Sequence, residues 1–229
     1  MNTELYEQYK NFFPAELIDF LSDACRDGNI ELIRFFLVES NLLQPQDIHR
    51  NEDIAFRTAC EFGQLEVVRY LLTSLELKEH AKVGCMADSG LRVACKTGQL
   101  EVVRYLLTSN ELKNHADIYS LQGDSLDWAC SGNNVELAQY LLTSPELKEH
   151  IDLHNNNDKP FRIALENKSL DVLNYFIFSL NIKKNRYVMD YLKEYPNETV
   201  ESWFAVRDMS NELTTELSDN NLINRRLKL

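Results

Sequence analysis

Twelve residues, GQLEVVRYLLTS, occur twice without change, at Gly63–Ser74 and again at Gly98–Ser109. The offset is 35 residues, and aligning the rest of the chain on it places alanine at 24, 59, 94, 129 and 164. Cysteine follows the alanine at 25, 60, 95 and 130, with Leu165 in the last copy. A fixed period of this length is the signature of tandem units. Each unit is a small supersecondary element that cannot bury its apolar face alone, so the copies must stack side by side.

Within one copy the pattern predicts two short helices. Phe56 to Phe62 carries Ala59 and Cys60 on its packing side, and Gly63 then breaks the chain as a left-handed C-terminal cap would. Gly28 and Gly98 hold the same place, Asn133 replaces them in the fourth copy, and Lys168 is a poorer fit in the fifth. Leu65 to Thr73 reads as the second helix, with Leu65, Val68, Leu71 and Leu72 on one face. Ser74, Ser109 and Ser144, each followed by x-Glu-Leu-Lys, predict single helical turns over 75–80, 110–115 and 145–150. Polar, turn-rich connectors at 48–54, 83–89, 118–124 and 153–159 would project as fingers. Small residues at the alanine and cysteine positions let neighbouring helices approach to roughly 8–10 Å.

Composition narrows the partner. The chain has 229 residues and a formal net charge of −12, with 36 acidic against 24 basic side chains. Nucleic-acid binders gain affinity by displacing counterions with Lys and Arg, and this balance works against that class. A basic or neutral protein is the better electrostatic match. No stretch approaches the eighteen or so apolar residues of a membrane helix, and the acidic N-terminus does not read as a signal peptide. The cysteine usage points to a reducing compartment, and so to the cytoplasm.

These residues resemble ankyrin repeats. Lys159-Pro160-Phe161-Arg162-Ile163-Ala164 is similar to the first half of the family pattern, and Gly98 to Leu107 to the second. The resemblance covers roughly residues 14–182. It implies an all-α solenoid of five helix-turn-helix repeats, at about 14–48, 49–83, 84–118, 119–153 and 154–185. Residues 2–20 would form a helical N-terminal cap, and 186–229 a helical C-terminal cap and tail. Val200, Trp203, Phe204, Val206 and Met209 suit a capping helix, with Ser210 as the start of another. The family's histidine is replaced by Arg57, Arg92, Asp127 and Arg162, and its usual ending by the longer T-S-x-E-L-K-x-H. That longer form resembles arrays of bacteria living inside eukaryotic cells and of some large viruses. It implies an effector or adaptor, delivered into a host cytosol by a specialised secretion system.

Several constellations invite a chemical reading and fail it. One cysteine per repeat sets neighbours farther apart than the roughly 4.4–6.8 Å between Cα atoms of a disulfide, and farther than shared zinc ligands. His80, His115 and His150 recur at the same 35-residue period and suit hydrogen bonding in the connectors. Cys85 falls in the third finger with no oriented histidine in the pattern, so an incidental thiol is the better reading. No phosphate loop, HExxH, CxxC or GxSxG is present in the sequence. The expectation is therefore no catalytic residue, no metal and no cofactor.

Binding should lie where the copies differ. Copies two and three are identical along the second helix, yet their fingers share almost nothing. In ankyrin proteins the fingers and first-helix ends line the concave face that grips partners; unconstrained loops would drift in the same way. Exposed apolar and aromatic residues carry most binding energy. The expected contact residues are Phe62, Met86, Tyr119 and Leu121, with Arg50, Asn51, Lys96 and Asn155 as polar neighbours, and Trp128 is expected in a core or half-buried role rather than as a contact residue. The leading reading is a monomeric, non-catalytic protein-binding module gripping its partner through repeats two to five. An enzyme with its site in 186–229, and self-association through an apolar end, are the alternatives.

Overall fold

The computed structural model describes residues 2–85, 88–119, 125–180, 189–190, 192–193 and 196–226. Its described residues are helices and turns, divided into two compact units, Met1–Asp152 and Leu153–Leu229.

The first unit opens with α1 (Thr3–Tyr9), capped by the Asn2 side chain on the Leu5 amide. Four helix pairs follow: α2 (Pro14–Arg26) with α3 (Ile30–Arg34), α4 (Arg50–Glu61) with α5 (Leu65–Thr73), α6 (Ser89–Thr97) with α7 (Leu100–Thr108), and α8 (Ser125–Ser131) with α9 (Val135–Thr143). A π-helical turn, Phe35–Glu39, prolongs α3. First helices pack in sequence, α2 on α4, α4 on α6 and α6 on α8. Their seam is the small-residue column: Ala59, Ala94 and Ala129 are fully buried and Ala24 nearly so, each beside a fully buried cysteine. Any larger side chain here would force the helices apart, at a typical cost of about 1–3 kcal/mol.

Each pair closes through the same local device. Gly28, Gly63, Gly98 and Asn133 adopt φ of 72°, 70°, 79° and 58°. This left-handed residue turns the chain so that the next amide reaches back to the alanine carbonyl: Asn29 to Ala24 (2.9 Å), Gln64 to Ala59 (2.9 Å), Gln99 to Ala94 (2.9 Å) and Asn134 to Ala129 (3.0 Å). That is a six-to-one Schellman closure, which satisfies a carbonyl otherwise left without a helical partner.

The residue that supplies this amide also locks one repeat to the one before. Gln64 Nε2 donates to the Arg26 carbonyl (2.7 Å), Gln99 Nε2 to that of Glu61 (3.2 Å), and Asn134 Nδ2 to those of Lys96 (2.8 Å) and Cys95 (3.1 Å). These carbonyls lie at the open ends of first helices. The 64/99/134 amide column therefore ties successive copies where an arginine, or Asp127, stands in place of the family's histidine.

The other edge is held by a repeated Tyr–Glu–Arg arrangement. Tyr105 donates to Glu111 (3.0 Å) and Tyr70 to Glu76 (3.3 Å), while Arg34 pairs with Glu76 (3.0 Å) and Arg104 with Glu146 (3.1 Å). Arg69 and Arg104 lie over the rings of Tyr105 and Tyr140, at 5.3 and 5.5 Å. The three histidines fold back on the serine carbonyls, His80 on Ser74, His115 on Ser109 and His150 on Ser144, at 2.7–2.9 Å.

Three sequence expectations need correction. The Ser-x-Glu-Leu segments are hydrogen-bonded turns, not helices: Glu76 N–H meets Ser74 Oγ (3.3 Å) and Leu77 N–H meets the Ser74 carbonyl (3.1 Å), and both bonds recur at 109–112 and 144–147. The buried face of α5 is Val67, Val68 and Leu71, with Leu65 and Leu72 only half-buried. A second helix packs against both its own partner and the next second helix (α5 against α7), which turns Val67 inward. Ser210 starts no helix, because one helix runs through it.

The N-terminal end is closed by aromatic rings. Tyr9 on α1 lies 5.2 Å from Phe20 and 5.0 Å from Phe36, edge on in both cases, and Phe35 and Phe36 are buried. Such pairs add about 0.5–1.5 kcal/mol beyond the area they bury.

The second unit comprises α10 (Asn155–Glu166), α11 (Leu170–Asn174) with a π-helical turn (Tyr175–Ser179), and α12 (Glu198–Arg226). Ala164 is fully buried and Lys168 takes the left-handed place at φ 56°, so this pair repeats the device of the others. Phe161, Phe176 and Phe204 form its core with Val200.

Candidate partner-binding flank

The fingers begin on strained backbone. Asn51, Glu52 and Asp53 hold φ of 48°, 62° and 56° in succession, so the regular part of α4 starts at Ile54. A non-glycine left-handed residue costs roughly 1–2 kcal/mol. Buried Asp53 accepts from His49 Nδ1 (2.7 Å), and Arg57 donates to the Asn51 carbonyl (2.9 Å), which holds the turn. The same His–Asp bond joins His154 and Asp158 in the second unit, where Asn157 and Asp158 are left-handed. Asp88 is the left-handed residue that precedes α6. Asp53, Asp88 and Asp158 thus recur in the sequence at multiples of 35 residues, with Gly123 in the intervening place, a signal readable in the sequence but missed.

The sequence-predicted residues fall at the two ends of the first helices. At the finger end, Arg50 is exposed and paired with Asp47 (2.6 Å), and Asn51 is exposed with its carbonyl engaged. Tyr119 is exposed, but its hydroxyl donates to the His150 carbonyl (2.9 Å) and its amide to Asp117 (2.8 Å). It borders a groove of about 340 Å³ with Leu107, Ala116, Ile118 and Leu147. An equivalent groove of about 440 Å³, with Leu72, Ala81, Val83 and Leu112, lies one repeat earlier.

At the opposite end, Phe62 is 50% exposed, with the Arg26 guanidinium 6.0 Å from its ring. Lys96 is exposed, and Thr97 Oγ1 donates to the Glu61 carbonyl (2.9 Å), so the ends of α4 and α6 adjoin. Trp128 is half-buried, with Arg92 at 5.7 Å and Lys96 at 6.0 Å from its ring. Sequence reasoning passed over Arg92 and the cation-flanked setting of Trp128; the arginines at 57, 92 and 162 were the available signal. Met86 and Leu121 lie outside the described residues. Asn155 is the first residue of α10 in the second unit.

Burial works against a reactive thiolate at every cysteine. Burial raises the thiols of Cys25, Cys60 and Cys130 far above the ordinary range and that of Cys95 to about 12. Cys85, half-buried beside Ser89 and Asp53, is pushed up to about 11 mainly by burial. A thiol of that pKa is protonated at neutral pH. Its acidic neighbour Asp53 accepts from His49 Nδ1. Among the described residues no group of His, Cys, Asp and Glu could hold a metal ion, and no helix is long and apolar enough to cross a membrane.

The family model for ankyrin repeats, in three copies, matches residues 21–122. No curated protein matches the chain. The matched stretch holds the alanine seam, the left-handed caps and the amide column in register over successive helix pairs. Residues 21–122 are thus ankyrin repeats, within a chain whose described residues are helices and turns.

Proposed function

We propose that this chain is a non-catalytic binding module that grips a partner protein on the flank formed by its fingers and first helices. Ankyrin repeats generally mediate protein–protein interaction, which is the coarse statement the family supports. The observation that carries the finer one is the placement of exposed rings. Among the described residues between 49 and 152 the exposed large apolar side chains are Phe62, Leu75 and Tyr119, and both aromatics lie on this flank. Aromatic side chains supply large contact area at small entropic cost and are enriched in binding hot spots. The second helices turn Glu66, Glu101 and Glu136 outward instead. The resemblance of the longer repeat to arrays of intracellular bacteria adds the reading of a host-directed effector or adaptor.

The alternative of an enzyme site in 186–229 has little support. The groove described there, about 500 Å³, is bordered by Met189, Leu192, Lys193, Pro196, Glu201 and Phe204. Among the described residues that border it, one lysine and one glutamate beside apolar side chains do not make a nucleophile–base pair.

The test is capture from a eukaryotic lysate with wild type, an Arg50→Ala/Phe62→Ala/Tyr119→Ala variant, and a Glu66→Ala/Glu101→Ala variant. The proposal expects a partner set lost by the first variant and kept by the second. Equal capture by wild type and the first variant would refute the choice of flank.

A further inference from the structure

The binding flank is not electrically uniform, and its pattern specifies the chemistry of what sits on it. The α2 end is acidic: Glu16, Asp19, Asp23 and Asp27 are exposed, and Arg26 is committed to Asp23 (2.7 Å) and Asp27 (3.5 Å). On α4 the exposed Glu52 and Glu61 balance Arg50 and Arg57. Then the sign changes. α6 has no acidic residue and carries Arg92 and Lys96. α8 has one carboxylate, Asp127, and it is 4% exposed. Within α6 and α8 themselves the exposed charged side chain is therefore Lys96, with Arg92 half-buried beside it and no exposed carboxylate, on a chain whose formal net charge is −12.

The cations are also placed. Arg92 and Lys96 sit four residues apart on α6, on one face of the helix, and both reach the half-exposed ring of Trp128 on the next first helix. The indole holds them at a fixed distance from a flat apolar shelf and limits the rotamer entropy they would lose on binding. Lys96 is exposed and makes no ion pair among the described residues. An ammonium beside an aromatic shelf suits a carboxylate whose aliphatic stem lies on the ring. A lysine or arginine of a partner would be repelled at this point and would find its match at α2.

We infer that the partner presents a carboxylate-rich segment to the shelf of Trp128, Arg92 and Lys96. This rests on the reading of the flank as the binding face and adds the partner's chemistry. It also reverses, locally, what the net charge of the chain suggests: the partner as a whole is basic or neutral, and the segment over α6 and α8 is acidic.

Fluorescence anisotropy of two labelled decapeptides against the full chain tests it, one alternating Glu with Ala and the other Lys with Ala. The acidic probe binds saturably, and raising the salt from low to molar concentration weakens it, because exposed charge pairs are screened within about 3 Å at 1 M. Lys96→Glu weakens the acidic probe by about tenfold or more, the cost of one charge-assisted contact. Lys96 is exposed, so this variant should keep the wild-type melting temperature, and Trp128→Leu should weaken the same probe in parallel. No saturable binding of the acidic probe, equal affinity for the lysine probe, or unchanged affinity in Lys96→Glu each overturns the inference. The lysate capture stands apart from this: if its partners depend on Phe62 and Tyr119 but ignore Lys96→Glu, the flank is right and the acidic segment is wrong.

Discussion

Asn134 offers the sharpest test of how one repeat is held to the next. Its Nδ2 group donates to two carbonyls of the preceding first helix, Lys96 at 2.8 Å and Cys95 at 3.1 Å. A net intramolecular hydrogen bond contributes about 0.5–1.5 kcal/mol. Asn134→Ala removes both and should cost about 1–3 kcal/mol, toward the lower end because water can reach carbonyls so near the surface. On a chain of this size each kcal/mol corresponds to about 2–4 °C in melting temperature. Asn134→Asp is the informative partner. Its shape is nearly that of Asn, but it has no N–H to give, so it places carboxylate oxygen against two carbonyl oxygens. It should be worse than alanine by at least about 1 kcal/mol, because unlike alanine it adds repulsion. Urea unfolding of the three proteins reads the difference, and amide exchange shows whether loss of protection starts at the α6–α8 contact. An aspartate variant as stable as, or more stable than, the alanine variant would refute the account of the amide column as a donor lock.

The remaining expectations are independent of that one. Gly132→Ala would put Cβ 1.9 Å from the Lys96 carbonyl oxygen, a backbone atom that cannot swing away. It should destabilise by about 1–3 kcal/mol as an overpacked contact, and a melting temperature within 1 °C of wild type, taken as roughly the error of such a scan, would contradict the close approach of α6 and α8. Of the five cysteines, only half-buried Cys85 should react with a disulfide reagent in the native protein, at a rate that climbs with pH towards its pKa of about 11, while all five react in urea; fast reaction at neutral pH would show a thiolate the structure does not support. Asp88 is 8% exposed, and burial holds its carboxyl above the usual range, with the Asp117 carboxylate adding to the rise and the Asp117 backbone and Arg92 opposing it. The folded state therefore keeps this proton longer than the unfolded chain, so stability is lost as pH rises through the carboxyl range. Asp88→Asn, which also tolerates φ 56°, should raise the melting temperature at pH 7 and leave it unchanged at pH 3; a gain at both would contradict this assignment.

Much of the stack was legible because its requirements are local and recur. Only a small residue fits the seam, and only a residue tolerant of positive φ fits the cap, so Ala59, Ala94, Gly63, Gly98 and Asn133 announce themselves at a fixed interval. Lys168, a poor residue for that place, takes it anyway, because the bond from Ser169 to the Ala164 carbonyl (2.8 Å) requires the turn. What was not legible depends on neighbours a whole repeat away. Gln64 and Asn134 look like ordinary polar positions until the preceding carbonyls are in place. Val67 looks no more buried than Leu65 until the next second helix is set against it. The Ser-x-Glu-Leu segments imitate a helix start, but in each the leucine amide returns to the serine carbonyl and closes a turn. On the proposed flank the exposed rings of Phe62 and Tyr119 could be named from sequence. The Arg92–Trp128–Lys96 grouping could not, since it joins two helices separated by a finger.

A stack of repeats requires successive pairs to stand at one constant spacing within residues 2–152. Spin labels at Glu31, Glu101 and Glu136, exposed on α3's, α7's and α9's outer faces, measure this by pulsed dipolar spectroscopy. With second helices roughly 8–10 Å apart, the 31–101 pair spans two steps, about 20 Å, and the 31–136 pair three steps, about 30 Å. A 31–136 distance equal to or shorter than the 31–101 distance would contradict the stack.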